Sequence, residues 1–385
     1  MYYFFLINYF ISNIRTKLFP MIFKKYKFII YLVLFTISFP AIKIYPQDST
    51  ATDILKNLKV SAYVDAYYSY DTDKKNSLKL FSTYSPYRDQ FRLNIAQVSL
   101  KYKSEKENIR GIFTLQYGDI PDLNWKPTTQ YSYIQEANFG YSPVKNLWVD
   151  AGFFQCHIGA EGLPKDDYFT SIALISVAEP NLQSGIRITY DFSEKFSAAL
   201  HILNGFNLYE DNNKNKTLGL QFNYKLNSNL SFSFNNLMGN EMPAGMDGKL
   251  LTLNNLIVNA SLNKNVDLLM NFDVGSQEKS KLNDSNATAY MYGGFISARY
   301  RFSKYFSAAI RGEYYQDLNG FLSGIVANNM GLKSNAITLG VEYKPIENAY
   351  LRFEYTYLWL DEALNVFFDN TNRRHEVTIS MGFEY

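Results

Sequence analysis

HEVTISMGFEY, residues 375–385, alternates without a slip: Val377, Ile379, Met381, Phe383 and Tyr385 fall on one face, and Glu376, Thr378, Ser380, Gly382 and Glu384 on the other. Successive side chains of an extended strand point to opposite sides, so one face of this segment suits hydrocarbon and the other water. The design recurs along the chain. VSAYVDAYYSY sets Val60, Ala62, Val64, Ala66 and Tyr68 against Ser61, Asp65 and Ser69, and LGLQFNY sets Leu218, Leu220, Phe222 and Tyr224 against Gly219, Gln221 and Asn223. Segments of this kind begin near 58, 91, 108, 131, 146, 184, 195, 217, 229, 250, 265, 288, 304, 334, 348 and 374, about sixteen within a range of roughly 14 to 18. Two of them, 91–103 and 250–262, shift face partway.

The links between segments alternate in length. Short ones (KSEKEN, SPVKN, DFSEKF, KLNSN, NKN, FSKYF, KPIEN) are interleaved with long polar ones near 71–90, 118–130, 155–183, 204–216, 238–249, 275–287, 315–333 and 358–373. A soluble sandwich has no reason to keep this rhythm, whereas a membrane barrel of up-and-down hairpins has short periplasmic turns and long outer loops. The fold expected is therefore all-β: a transmembrane antiparallel barrel over 58–385. An unpaired backbone N–H or C=O costs several kcal/mol in hydrocarbon, so the last strand must pair with the first. Phe383 and Tyr385 then anchor the seam strand in outer-membrane lipid and serve as a signal to the barrel-assembly machinery. Tyr102, Tyr141, Phe192, Phe196, Tyr224, Phe302, Phe306 and Tyr343 flank short turns in the same way, as an interfacial aromatic girdle.

Composition excludes several classes. The aromatic content is 17%, with one cysteine and three histidines, so neither a disulfide framework nor a multi-histidine metal centre is expected. Residues 1–46 carry Arg15, Lys17, Lys24, Lys25, Lys27 and Lys43 and no acid; removing these six leaves 32 basic against 36 acidic residues, a net charge of −4. Nothing in this balance points to nucleic acid. Lys24, Lys25 and Lys27 precede the apolar run Phe28 to Phe39, the form of a signal peptide and shorter than the roughly 20 residues of a spanning helix. The expectation is a leader over 1–46, with Met21 as the start of translation, a short periplasmic segment over 47–57, and export to the outer membrane of a Gram-negative cell.

Enzymatic readings find little support. His375-Glu376 has no second histidine at the spacing of a zinc protease, and His201 sits on an inward face where a serine hydrolase site is not expected. DTDKKNS, 71–77, lacks the glycine and final glutamate of a calcium loop. No metal and no cofactor are expected. An energised transporter needs an N-terminal plug, for which 47–57 is too short.

VDAYYSYD (64–71), AQVSLKY (96–102), EANFGYSPVKNLWVDAGFFQCHIGAEG (136–162), LNGFN (203–207) and LGLQFNYK (218–225) together resemble the OmpL-like outer-membrane β-barrel porin family. Cys156 stands where a serine is expected. The resemblance spans most of the mature chain and implies a diffusion channel for small hydrophilic solutes or ions, the solute unspecified. The alternatives left open are a structural or adhesive barrel working through its loops and, more remotely, a barrel hydrolase; a homotrimer is also left open. By analogy with porins, the long third loop is a candidate constriction, carrying His157, Glu161, Lys165, Asp166 and Asp167, although a solvated outer loop is the other reading. Pore-lining candidates on inward faces are Asp65, Arg110, Glu136, Asp150, Arg187, His201, Gln221, Asp267, Arg299, Arg301, Arg311, Glu313, Arg352 and Glu354. Arg299, Arg301 and Arg311 form an expected basic ladder opposite acidic loop residues; the other reading is that inward charges brace the wall as ion pairs. Inward glycines, Gly152, Gly185, Gly219, Gly293 and Gly382, suggest open space.

Overall fold

Sixteen strands close on themselves in a computed structural model that describes residues 55–104, 106–125 and 131–385. They are β1 Leu58–Asp71, β2 Phe91–Lys103, β3 Ile109–Tyr117, β4 Ile134–Tyr141, β5 Leu147–Gln155, β6 Leu182–Asp191, β7 Phe196–Leu203, β8 Thr217–Asn227, β9 Leu230–Asn240, β10 Leu250–Asn263, β11 Val266–Gln277, β12 Ala289–Arg301, β13 Phe306–Asp317, β14 Leu332–Ile346, β15 Ala349–Leu360 and β16 Arg373–Glu384. Each pairs antiparallel with its sequence neighbours. Two short helices, α1 Asp119–Asn124 and α2 Leu174–Ala178, lie in the second and third long loops. The chain divides into two units, 1–55 and 56–385. The expected leader, Met21 and most of the 47–57 segment lie outside the described residues.

The seam is made as the alternation demands. Val64 faces Phe383, Ala66 faces Met381 and Tyr68 faces Ile379, while Ala62 and Tyr385 exchange backbone bonds of 2.9 and 2.8 Å. The apolar members stay uncovered by protein: Met381 is 60% exposed and Tyr385 78%. Such a surface is unfavourable in water and suited to lipid. At the short-turn rim, Ser193 Oγ accepts from the Lys195 and Phe196 amides, and Ser303 Oγ accepts from the Tyr305 and Phe306 amides. These side-chain turns are why FSEKF and FSKYF reverse the chain alike. Aromatics collect around them: Phe192, Phe196, Phe222 and Phe234 follow one another at 5.3, 6.4 and 6.5 Å, and Phe306 stacks on Tyr343 at 4.8 Å.

The two expected face shifts have different causes. In β2 the pairing slips between Asp65 and Ala66 of β1, leaving Asn94 as the extra residue of a bulge. In β10 pairing with β9 is unbroken from Leu250 to Ala260, so the strand does not change face. Leu251, Leu253 and Ile257 are buried inside while Leu250 and Leu256 are exposed outside. The apparent shift records apolar contents within the barrel.

Candidate functional site

The third long loop, 156–181, runs inside the barrel and is clamped to the wall by carboxylates. The inward Glu313 of β13 accepts from the Leu174 amide at 2.6 Å, and the loop's own Glu161 accepts from the Ala173 amide at 2.6 Å and Ser176 Oγ at 2.7 Å. The Ala173 and Leu174 amides are N–H groups at the start of α2 that no helical carbonyl can satisfy. Glu354 of β15 takes the Thr170 amide, the Ser171 amide at 3.2 Å and Ser171 Oγ at 2.9 Å. Arg311 sits among these acids, 1% exposed, with Glu161 at 2.7 Å, Glu313 at 3.4 Å and the Ser171 carbonyl at 2.9 Å. Arg352 holds the preceding turn, donating to the Pro164 carbonyl at 2.6 Å and the Asp167 carbonyl at 2.8 Å while pairing with Glu342 at 2.7 Å. Lys165 reaches Glu384 of the seam strand.

The expected basic ladder does not form. Arg299 and Arg301 both turn to Asp267, the former at 2.8 Å. Arg311 lies opposite Ser297 and is enclosed by the loop clamp. A guanidinium without a partner in a confined lumen pays a desolvation cost that a nearby carboxylate removes, and here each has one. Elsewhere too the inward charges pair. Asp150 receives Arg110 at 2.6 Å and Arg187 at 3.3 Å, with Arg110 stacked on Trp148. Asp65 accepts from Tyr350 at 2.6 Å and from Asn94 at 2.8 Å. Glu136 stands half-buried opposite Thr114.

The inward glycines also hold a surprise: several are seats rather than gaps. A Cβ on Gly382 would lie 2.4 Å from the Tyr350 ring, one on Gly219 would lie 2.7 Å from His157, and one on Gly293 would lie 3.0 Å from Tyr315. Gly152 and Gly185 adopt φ of 130° and 152° and press against neighbouring backbone. His157 donates to or accepts from Gln183 and Asn236 and stacks on His201 at 4.0 Å, whose ring nitrogens have no bond among the described residues. Around this, Ile158, Leu174 and Ile175 join Leu237, Leu253, Phe295 and Leu358 in one apolar cluster, and Leu163 joins Tyr63, Tyr84, Ile120 and Trp125 in another.

Sequence reasoning missed an amide ladder. Gln221 donates to Asn235 at 3.1 Å, Asn235 to Asn255 at 2.8 Å, Asn255 to Asn271 at 2.8 Å, and Asn271 to Glu179 of the loop at 2.8 Å. Its signal was the doublet NNL at 235–237 and again at 254–256, on strands whose other inward residues are mostly apolar or small. Two cavities flank the loop. One of about 300 Å³ is lined by Glu161, Asp166, Asp167 and Glu179 with Tyr84 and Trp125; another of about 400 Å³ lies near the short turns, lined by Tyr168, Lys225, Asp267, Arg299 and Arg301. Burial pushes the Asp167 and Glu179 carboxyls well above the usual carboxylate range, with Glu161 adding to the first and Asp273 to the second.

A family model described as "Putative beta-barrel porin-2, OmpL-like" matches residues 57–385. No curated protein matches the chain in sequence. Among solved structures the barrel is similar to the outer membrane channel DcaP of Acinetobacter baumannii (TM-score 0.58, 12% identity, 85% of this chain and 97% of that one). It is similar also to an anion-selective porin from Comamonas acidovorans (0.58, 11%, 85% and 99%) and to a trimer form of OmpT, an outer membrane protein of Vibrio cholerae (0.56, 12%, 85% and 99%). At such identities the likeness is one of fold, an outer-membrane porin barrel. The family match covers every strand, and with it the chain belongs to the OmpL-like beta-barrel porin-2 family.

Proposed function

We propose that the protein is a passive diffusion channel of the outer membrane for small hydrophilic solutes, in which loop 156–181 sets the bore. One observation carries this. Within a closed barrel, the consecutive residues Asp166, Asp167 and Tyr168 touch both polar cavities, the first two lining one and the third the other. A solute moving down its gradient between them passes these side chains, and charges there act at short range in low-dielectric surroundings. The channel needs no cofactor and performs no catalysis. Its partners are outer-membrane lipid, the barrel-assembly machinery during insertion, and two further copies if it forms a trimer, as its Vibrio cholerae neighbour does in one form. Export proceeds through a cleaved signal peptide.

The two apolar clusters and the filled glycine seats favour a second reading, a plugged barrel that works through its outer loops. Single-channel recording on refolded, heat-modifiable protein separates the two. A channel conducts as wild type, and deletion of 162–176 raises the conductance. A wild type that stays silent while the deletion conducts is a plugged barrel.

A further inference from the structure

We infer that the cavity beside the third loop is a binding site for a small organic cation, an ammonium or guanidinium group carried on an apolar body. The inference deepens the channel function proposed above, on which it rests, by naming the preferred solute class. At about 300 Å³ the cavity is at the lower end of the roughly 300–1,000 Å³ of small-molecule sites. Four carboxyl side chains line it, and no lysine or arginine does among the described residues.

These four are not equivalent. Glu161 is committed to Arg311 and to two donors of α2, and Glu179 accepts the end of the amide ladder. Asp166 and Asp167 are left. Asp167 is 9% exposed and accepts from the Gly162 amide at 2.9 Å through one oxygen, while its other oxygen has no partner among the described residues. Neither aspartate makes an ion pair with lysine or arginine there. The second, independent observation is Tyr84. It is 4% exposed and lines the same cavity, yet its phenolic oxygen has no hydrogen bond among the described residues. Burial, then the Asp167, Glu161 and Asp166 carboxylates, holds that phenol above its ordinary range, so it stays protonated with lone pairs free to accept.

A phenol and a carboxylate oxygen that have no protein partner among the described residues and line one cavity leave an acceptor pair there for a donor to complete. An ammonium N–H can donate to each at once. An anion would meet four carboxyls, and a neutral solute would do nothing to favour the ionised form of Asp167 that burial disfavours, whereas a cation would. A bare metal ion suits the site less, because among the described residues no three His, Cys, Asp or Glu side chains converge as ligands. Tyr84 and Trp125 give the apolar body an aromatic wall that favours a cation.

The test uses the folded barrel in detergent and three probes of one shape: phenethylammonium, neutral 2-phenylethanol and phenylacetate. Trp125 is one of three tryptophans and reports on the cavity, and Trp125→Phe identifies its signal. The ammonium should quench it saturably, with the other two weaker by at least about tenfold, the range expected for a charged hydrogen bond. Asp167→Asn should weaken ammonium binding by about tenfold or more, and Tyr84→Phe by a smaller factor. If Asp167→Asn fails to fold, Tyr84→Phe and Asp166→Asn carry the comparison. Equal affinity for the three probes, or ammonium affinity unmoved in the folded variants, overturns the site. Cation binding by a barrel that never conducts leaves the site standing and overturns the channel; conduction without cation preference overturns the site alone.

Discussion

Replacing Arg311 with methionine should release the third loop from the wall. The guanidinium faces Glu161 at 2.7 Å and Glu313 at 3.4 Å, and those carboxylates accept from Ala173 and Leu174 at the start of α2. Methionine fills much of the same space, so the loss is electrostatic. Breaking one buried pair costs about 3–5 kcal/mol because it strands a charge. Arg311 serves two carboxylates, so about 4 kcal/mol is a modest figure, and at 1.4 kcal/mol per decade it moves the docked-to-undocked ratio about 10³-fold. Single-channel conductance should rise while the barrel remains heat-modifiable. Trypsin should also cleave after Lys165, whose side chain is 19% exposed in the docked loop. Adding Glu161→Gln and Glu313→Gln should restore docking, since neutral amides need no cation. Wild-type conductance and protease resistance in folded Arg311→Met would refute the clamp.

Asp166→Asn with Asp167→Asn should shift the reversal potential toward anions, and Arg299→Gln with Arg301→Gln should free Asp267 and shift it toward cations. Bi-ionic recordings near 0.1 M salt, where exposed charges are screened over about 10 Å, would show no shift for either pair if these side chains lie off the path. Conductance should also fall on acidification. Asp167 and Glu179 are raised by burial in the docked loop, so their contribution to docking is fully present below the ordinary carboxylate range of about 4 and is lost as pH rises through the raised values; a flat profile would exclude the coupling. Phe383→Ser with Tyr385→Ser should impair assembly, each replacement losing about 1.5–3 kcal/mol of apolar burial in lipid. Normal yield of heat-modifiable double variant in outer membranes would argue against the seam strand as an anchor.

The barrel was legible because its signal is local. Period-two alternation in β1, β8 and β16 needs no knowledge of partners, and a face exposed to lipid tolerates few exceptions. Lumen contents are not local. Arg311 reads like Arg299 along the sequence, yet one is buried under a loop from 150 residues earlier and the other pairs across one strand boundary. Gly219 reads as open space until His157 occupies it. The third loop stood out by length and apolar residues, but its docking depends on Glu313, Arg352 and Glu354, whose distance from it in sequence hides the contact. β10 misled for the same reason: Leu251 and Leu253 pack on loops inside.

The amide ladder has a direction. Every donor from Gln221 through Asn235, Asn255 and Asn271 points toward Glu179, so the dipoles align and each bond polarises the next. A carboxamide can reverse only if its neighbour reverses too. An aspartate at position 235 could not donate to Asn255, and the amides beyond it would be driven to flip in turn, until Asn271 presented its carbonyl to Glu179. Two acceptors would then meet unless the glutamate took up a proton. The charge on a loop carboxylate is thereby tied to a side chain on β9, two strands from the nearest wall residue it touches, with no backbone movement between them.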